Sequence, residues 1–299
     1  MNVRSYKNGK WNVATQPLGN TQRHSPFLMF GKLLSKHLGY PIGLIPRAVG
    51  GSPITTWIDS GMHTEKIKKE NINDVKAILW YQGEEEAMNG SYDTYEENFM
   101  NFLNAMRKLF GNTSLPIITC QLNRCVSCYH ESKDEGFDNM RNIQYEISKK
   151  HENIFLIPTI DLKSLSDHIH MNVSSNKLIG ERFMLYALDR IYNKEKFRAP
   201  ELKEIIKISE DIIKLEFENV NDSLCTRELS PKNLPIVLKD KTGINEIKSY
   251  EAQNNIIIVH TKRRIEEKTQ ITIHGGTNPE HIIIDTDSQL PVVCVTKVL

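Results

Sequence analysis

The chain has 299 residues, of which 39% are hydrophobic and 25% are charged. This is the composition of a folded globular protein, and the length suits one large or two medium domains. Its 38 Lys and Arg nearly balance 37 Asp and Glu, which leaves a formal net charge of +1. A chain with so little net charge has no general field that attracts nucleic acid or an anionic membrane, so we expect neither as a partner.

The sequence also lacks targeting signals. No apolar run approaches the ~20 residues of a membrane span, and the first residues have no apolar core of a signal peptide. The five cysteines are odd in number and sparse, which is poor support for a disulfide framework. These features favour a cytoplasmic location by default. Secretion stays open if a native leader precedes Met1, and the oligomeric state is not predictable.

Helices and strands alternate between residues 25 and 192, which predicts an α/β domain of three layers with a mostly parallel sheet. Ser25-Pro26 predicts the start of a helix that Gly39 closes. Further helices are expected from Thr94, which could form a capping box with Glu97, from 140 to 149 and from 176 to 192. The strand candidates are apolar runs without polar alternation, typical of strands covered on both faces: 42–49, 75–81, 115–122 and 154–162.

The texture changes after Arg198-Ala199-Pro200, where short β-rich runs are separated by turn residues. The clearest runs are 212–217, 255–260, 270–274 and 291–298. This pattern predicts a small all-β domain. The predicted division is therefore an α/β domain over 1–198 and a β-rich domain over 199–299.

In an open α/β sheet, ligands bind beyond the carboxyl ends of the strands. Gly50-Gly51 follows the first predicted strand, and glycines there let the backbone approach a substrate and direct an N–H at an oxyanion. The alternative for this pair is an ordinary tight turn.

A second polar group follows the next predicted strand. Gln82 could donate its amide to an oxyanion, and Glu84 lies two residues further on. The alternative is a solvated acidic loop, which suits Glu85 and Glu86 better than Glu84.

The last predicted strand of the domain leads to Asp167 and His170. An Asp three residues before a His can accept the Nδ1 proton and leave Nε2 free as a general base. Two alternatives are that His170 caps the next helix or that it forms half of a metal site with His168.

A zinc site is also conceivable, from Cys120, Cys125, Cys128 and His130. Structural zinc sites normally use two paired ligand sets, and only one C-x-x-C occurs here. Buried or loop thiols are the preferred interpretation. We expect no metal and no cofactor.

Taken in order, these motifs resemble the SGNH hydrolase superfamily and, within it, the sialate O-acetylesterase-like group related to carbohydrate esterase family six. The similar stretches are Gly50 to Trp57, Trp80-Tyr81-Gln82-Gly83-Glu84, Arg141 to Gln144, Asp167 to His170 and Lys177 to Arg182. The resemblance implies a hydrolase that removes acetyl esters from sugars by a Ser-His-Asp mechanism. It assigns His170 and Asp167 to catalysis, Gly50, Gly51, Gln82 and Glu84 to the oxyanion and substrate site, and a small acetylated sugar or glycan as the partner.

One departure from the family pattern concerns the nucleophile. The family's serine lies in a G-Q-S-N stretch, which does not occur in this chain. Ser25, Ser52, Ser164 and Ser166 do not have the motif residues around them. We therefore expect the serine block to precede the first residue. The alternatives are a truncated or non-catalytic glycan-binding paralogue of this fold, and a β-rich tail that binds carbohydrate independently.

Overall fold

A computed structural model describes residues 2–19, 24–70, 72–126, 134–167, 169–226, 230 and 233–299. Its α-helices are α1 (Phe27–Leu38), α2 (Met62–Lys68), α3 (Glu84–Asn89), α4 (Tyr95–Leu109), α5 (Asp134–Lys150) and α6 (Val173–Arg190). The strands that accompany them are β1 (Val3–Lys7), β2 (Lys10–Val13), β3 (Ile42–Leu44), β4 (Ile78–Trp80), β5 (Ile117–Cys120) and β6 (Ile154–Ile157).

The strands of the α/β part form two sheets. One has the order β2-β1-β3, with β1 and β3 parallel, and the other is the parallel sheet β4-β5-β6. The predicted α/β fold is confirmed. Its strands are shorter than the apolar runs from which they were predicted, because the ends of those runs form the loops after the strands. In the described ranges, β3 pairs only with β1 and β4 only with β5.

Helices cover both faces of the parallel sheet. On β5, Ile117 points into a core cluster with Phe99 of α4, whereas its neighbour Ile118 points into a cluster with Phe183 of α6. A strand that buries successive residues on opposite faces has no polar side, as its sequence indicated. Helix α6 also packs closely on α1, because a Cβ on Gly180 would lie 2.4 Å from the carbonyl oxygen of Pro26.

Two local details differ from the sequence prediction. The Thr94 and Glu97 capping box does not form, because Thr94 ends the short 3-10 turn Tyr92–Thr94 and its hydroxyl accepts a hydrogen bond from Asn98 instead. The hairpin of β1 and β2 was not predicted. Its signal was Asn8-Gly9, where both residues have positive φ, the backbone that a tight hairpin turn requires.

The predicted β-rich tail is confirmed as an all-antiparallel region with its own core. Its sheets have the orders β12-β13-β8-β7, β11-β10-β14-β16 and β15-β9. These strands are β7 (Glu201–Lys207), β8 (Ile212–Glu218), β9 (Leu224–Thr226), β10 (Ile236–Asp240), β11 (Gly243–Asn245), β12 (Ile247–Gln253), β13 (Ile256–Thr261), β14 (Gln270–Ile273), β15 (Ile283–Asp285) and β16 (Val295–Val298).

Helix α5 and Gln121, the residue directly after β5, join the two parts of the chain. The buried side chain of Gln121 donates to the carbonyl oxygen of Cys294 and accepts from its N–H. On α5, Asn142 accepts from the Thr296 N–H, and Tyr145 belongs to the core of the β-rich part. The β-rich part is thus attached by buried hydrogen bonds as well as by apolar contacts. The domain boundary near residue 198 stays a prediction.

Among the described residues, no helix is both long and apolar enough to cross a bilayer.

Candidate functional site

The carboxyl ends of β4 and β5 are tied together by Gln144 of α5. Its amide nitrogen donates to the carbonyl oxygen of Gln82 over 3.1 Å, and its amide oxygen accepts from the N–H of Leu122 over 2.8 Å. The Tyr95 hydroxyl donates to the same Gln82 carbonyl. Both loops after these strands are therefore held by buried side chains, as a precise site requires.

The loop after β3 presents the two glycines to solvent. Gly51 has φ +66, in the left-handed region that glycine adopts without strain. In the described part of the chain, neither the Gly50 N–H nor the Gly51 N–H donates a hydrogen bond. Just beyond them, the Ser52 hydroxyl donates to the Val49 carbonyl and accepts from the indole N–H of Trp57.

Gln82 contacts this glycine loop directly. Its side chain is only 8% exposed, and Nε2 lies 2.6 Å from Glu86 Oε2 and 3.3 Å from the carbonyl oxygen of Ser52. Its Oε1 is buried without a partner among the described atoms. The structure thus brings the predicted oxyanion groups of two separate loops next to each other.

Glu86 corrects the sequence interpretation. It was expected in a solvated acidic loop, but it is 2% exposed, and its Oε1 accepts from the Ile54 N–H over 2.5 Å. The sequence signal that could have revealed it is its spacing. Glu86 lies four residues after Gln82, and the turn at Gly83, which has a φ of 133°, returns the chain so that the two side chains meet.

Glu84 lies in a different hydrogen-bond network. Burial raises the pKa of its carboxyl group, which is bonded to the Tyr81 hydroxyl. That hydroxyl accepts from the Asn123 N–H, and burial raises the pKa of Tyr81 well above its ordinary value. Glu84 therefore bonds to Tyr81 and not to Gln82, and its expected contact with substrate stays a prediction.

Asp167 and His170 meet as the sequence predicted. Asp167 Oδ1 accepts from the His170 N–H over 2.9 Å, and Oδ2 lies 3.1 Å from His170 Nδ1. The His170 side chain is 54% exposed, and its Nε2 has no hydrogen-bond partner among the described residues. The pair has the geometry of a general base with its orienting carboxylate.

The loop that carries this pair is anchored on both sides. The Leu165 N–H donates to the His170 carbonyl, and Arg182 of α6 makes a bidentate ion pair with Asp161 over 2.8 and 2.6 Å. The alternative in which His170 caps α6 is wrong, because Asn172 is the cap and accepts from the Ser175 N–H. The metal alternative needs His168, which lies outside the described residues.

The segment that leads to His170 is tied to the loop after β5, because Asn123 donates to the Leu162 carbonyl and Arg124 donates to the Ile160 carbonyl. Ile169 packs against the core cluster that contains Ile54 of the glycine loop and Leu122 beyond β5. The same cluster includes Trp80, the last residue of β4. Because β4, β5 and β6 are parallel, their carboxyl ends lie at one edge of the sheet, and the segment that leads from β6 to His170 leaves from that edge.

Cys120 is a buried free thiol, as predicted, but Cys125 is not free. Cys125 is in a disulfide whose partner lies outside the described residues, and a disulfide sulfur is not a thiolate ligand. Cys128 and His130 also lie outside them. Burial raises the pKa of the Cys120 thiol far above its ordinary value. The described part of the chain contains no group of three or more His, Cys, Asp or Glu side chains that could hold a metal ion.

The sequence offers Arg47, Arg124 and Arg141 as possible partners for the carboxylate of a sialic acid, although a solvated or structural role is commoner for an Arg. Arg141 is 1% exposed. Its guanidinium donates to carbonyl oxygens of both parts of the chain, those of Leu122, Asn123, Gly276 and Thr277. The other two candidates are also engaged, since Arg124 donates to the Ile160 carbonyl and Arg47 pairs with Glu70. Buried carbonyls explain Arg141 without a ligand.

Comparison of folds defines the class of protein first. A carbohydrate acetylesterase from Xanthomonas citri superposes with a TM-score of 0.81 at 18% identity, covering 99% of this chain and 73% of that one. An Arabidopsis thaliana protein of known X-ray structure superposes with a TM-score of 0.55 at 22% identity, covering 64% of this chain and 82% of that one. The chain therefore shares its fold with both proteins, and with the Xanthomonas protein over almost its whole length.

Sequence comparison then gives the family. The model of the carbohydrate esterase, sialic acid-specific acetylesterase family matches residues 2–189. A probable carbohydrate esterase of Arabidopsis thaliana is 26% identical over 189 residues, which are 57% of this chain and 68% of that protein. The chain belongs to this carbohydrate esterase family, and the resemblance inferred from its motifs is confirmed.

Proposed function

We propose that the chain provides the base, its orienting carboxylate and the oxyanion donors of a carbohydrate O-acetylesterase. The observation that carries the proposal is the contact of Asp167 with His170 Nδ1, which leaves Nε2 unpaired within the described residues. A neutral imidazole held through Nδ1 presents the lone pair of Nε2 to a hydroxyl nucleophile.

In the proposed reaction, His170 Nε2 takes the proton of a serine hydroxyl while the serine oxygen attacks the acetyl carbonyl carbon. The intermediate collapses as the bond to the sugar oxygen breaks, and His170 returns the proton to that oxygen. A water molecule then loses a proton to His170 and attacks the acetyl-serine. The bond between the acyl carbon and the serine oxygen breaks, His170 returns the proton to that oxygen, and acetate leaves. Asp167 holds the imidazole throughout and stabilises its charged form.

The negative charge of the tetrahedral intermediate is met by the Gly51 N–H and Gln82 Nε2. Support comes from the free N–H of Gly51 and from the 3.3 Å contact between Gln82 Nε2 and the Ser52 carbonyl, which brings the two donors to one place. Removing one such donor typically lowers kcat about 100-fold to 1,000-fold.

The nucleophilic serine belongs to a strand and turn outside the sequence given. Two observations support this part of the proposal. None of the serines has the G-Q-S-N context, and the hydroxyl of Ser52 is already bonded to Val49 and Trp57. In the described ranges, β3 and β4 each pair with one neighbour and have one free edge, and the loops that follow these two strands touch. A parallel strand between them would join the sheets and end beside the glycine loop.

The proposed substrate is a small O-acetylated sugar, and the family description favours a sialic acid. The requirement for the sialic acid carboxylate is open to test, because the three arginines offered for it bond to groups of the protein itself.

A second candidate function is glycan binding without turnover. The observation that favours it is that no described serine donates to His170. In that case the same cleft would hold an acetylated sugar and release no acetate.

The experiment is acetate release by a completed chain. An N-terminal extension would encode a short apolar strand followed by Gly-Gln-Ser-Asn, and the substrates would be an O-acetylated sialic acid and a neutral O-acetylated sugar. We expect release that is abolished by His170→Ala or by serine to alanine in the extension, and kept by His37→Ala, a control on the exposed surface of α1.

Release that survives His170→Ala overturns the catalytic assignment. Calorimetric titration with the same sugars tests the second candidate function. Protection of the β3 and β4 amides from hydrogen exchange would show that the added strand has paired with them. If an extended chain with this protection binds the sugars and releases no acetate, the protein binds glycans without turnover.

A further inference from the structure

Glu86 connects the two groups proposed to stabilise the oxyanion. One carboxylate oxygen accepts from the backbone N–H of Ile54, just past the glycine loop, and the other accepts from Gln82 Nε2. Both contacts are short, at 2.5 and 2.6 Å, and the side chain is 2% exposed. A buried carboxylate with two N–H donors is fully used by the protein itself.

This contact decides which way the Gln82 amide faces. The oxygen and nitrogen of a glutamine amide have nearly the same shape, so hydrogen-bond partners determine its orientation. The Gln82 atom that contacts Glu86 also lies 3.3 Å from the Ser52 carbonyl oxygen, which only accepts hydrogen bonds, so that atom is the nitrogen. The second N–H of that nitrogen has only a long contact, 3.3 Å, with the Ser52 carbonyl beside the glycine loop, and an oxyanion at that loop would share this N–H or take it over.

We infer that Glu86 is a positioning residue that holds the Gln82 amide with its N–H towards the oxyanion and fixes the glycine loop beside it. This inference rests on the proposed function, because it takes Gln82 as an oxyanion donor. Glu86 itself contacts no substrate and acts through Gln82 and Ile54.

Glu86→Gln separates positioning from packing. The new amide oxygen could still accept from the Ile54 N–H, but its nitrogen would then face Gln82. The Gln82 amide would turn over so that its oxygen accepts from the nitrogen of the new amide. The hydrogen bond between the two side chains would then be kept, while the Gln82 N–H would no longer face the oxyanion. We expect the variant to keep the thermal stability of the wild type and to lose the orientation of Gln82.

The test uses NMR of the whole chain labelled with ¹⁵N-glutamine, with Gln82→Met to assign the Gln82 side-chain resonance. Acetate ion is the probe, since its carboxylate resembles the oxyanion and the proposed product. We expect one strongly downfield, exchange-protected Gln82 amide proton that moves on addition of acetate. In Glu86→Gln that proton should lose its downfield shift, and the Kd for acetate should rise about tenfold or more. Glu85→Gln, at the half-buried neighbour on the same helix, should behave as wild type.

The outcomes separate this inference from the proposed function. A Gln82 amide that is unchanged in Glu86→Gln overturns the positioning role. If that variant does not fold, the wild-type spectrum decides, since a Gln82 amide without the downfield, protected proton also overturns it. A third outcome is that the wild type shows the downfield proton, Glu86→Gln loses it, and acetate moves no Gln82 resonance. In that case Glu86 does orient the Gln82 amide, but the oxyanion role of Gln82 fails.

Discussion

The site edge of the α/β part and the β-rich part are built differently. Strands β3 to β6 are three or four residues long and end in loops with buried side-chain atoms that have no partner in the described structure, such as Gln82 Oε1 and Asn123 Oδ1. In the β-rich part, β7, β8 and β12 have seven residues each, and the buried side chains of His274 and Asn245 bond to backbone groups. Buried polar groups without partners are costly and are expected where a ligand binds.

The two parts meet at α5, which belongs to both. Gln144 holds the ends of β4 and β5 at the site, and Arg141, one turn earlier on the helix, holds the loop at Gly276 and Thr277. Asp138 on the same helix accepts from the Gly276 N–H. The β-rich part therefore supports the helix that positions the site, and it is not an independently attached module.

The largest expected effect comes from Arg141, because it links the two parts. Arg141→Met removes the donor from the buried carbonyl oxygens of Leu122 and Asn123 and from the partly buried ones of Gly276 and Thr277. Hydrogen bonds to charged groups contribute about 1.5–3 kcal/mol each. We expect a loss on the order of 3 kcal/mol or more in the free energy of unfolding in urea. Arg141→Lys keeps the charge but not the planar set of donors, so it should lose less. Equal stability of wild type and Arg141→Met would show that the junction contributes nothing.

The stability of the β-rich part should depend on pH through His274, which is buried in that part. Burial, with help from the nearby positive charge of Arg141, lowers the pKa of His274 to about 3 from its ordinary 6.5. Between these values the unfolded chain binds a proton that the native chain does not, so stability should fall as pH drops from about 6.5 to about 3. It should be unaffected by this group above that window.

His274→Asn is the matched variant for this effect. Asparagine accepts a hydrogen bond as His274 does from the Ile283 N–H, and it tolerates the φ of 56° at this position. Urea unfolding from pH 7 to pH 4 should show a shallower loss in the variant. If the free energy of unfolding fell equally with pH in the wild type and in His274→Asn, His274 would not be the source of the pH dependence.

A smaller effect is expected where α6 meets α1. Gly180→Ala places a Cβ against the carbonyl oxygen of Pro26 and the Phe30 nitrogen, and both are backbone atoms that cannot rotate away. Overpacking of this kind costs about 1–3 kcal/mol. The melting temperature should fall, whereas Ser174→Ala, at an exposed position of the same helix, should leave it nearly unchanged. An unaltered melting temperature in Gly180→Ala would mean that the helices separate freely.

The smallest effect is at the start of α6, directly after the His170 loop. Asn172→Ala removes the side chain that accepts from the Ser175 N–H, and loss of such a cap typically costs about 1 kcal/mol. Thermal unfolding measures it. A loss well above that size would show that Asn172 also holds the His170 loop.

The sequence predicted the parts of the molecule that follow local rules. Apolar runs located the strands, Gly39 marked the end of α1, and the spacing of Asp167 and His170 anticipated their hydrogen bond. The positions just after strands also led to Gln82 and the glycine loop.

What the sequence did not predict depends on partners that are distant along the chain. Glu86 is buried because Ile54, 32 residues earlier, supplies its donor, and Arg141 is buried because its carbonyl partners come from the β-rich part. The split of the parallel strands into two sheets is likewise a product of the tertiary fold. Periodicity and local motifs carry no information about such contacts.

The most direct test of the account is acetate release from an O-acetylated sialic acid by the chain as given, run beside His170→Ala. Under the proposed mechanism, the base and the oxyanion donors lie in this chain and the nucleophile lies in a segment outside it. The mechanism therefore predicts no difference between the two proteins and no release above the buffer rate. Release that is lost on replacing His170 would contradict it, because a nucleophile would then have to lie within the chain.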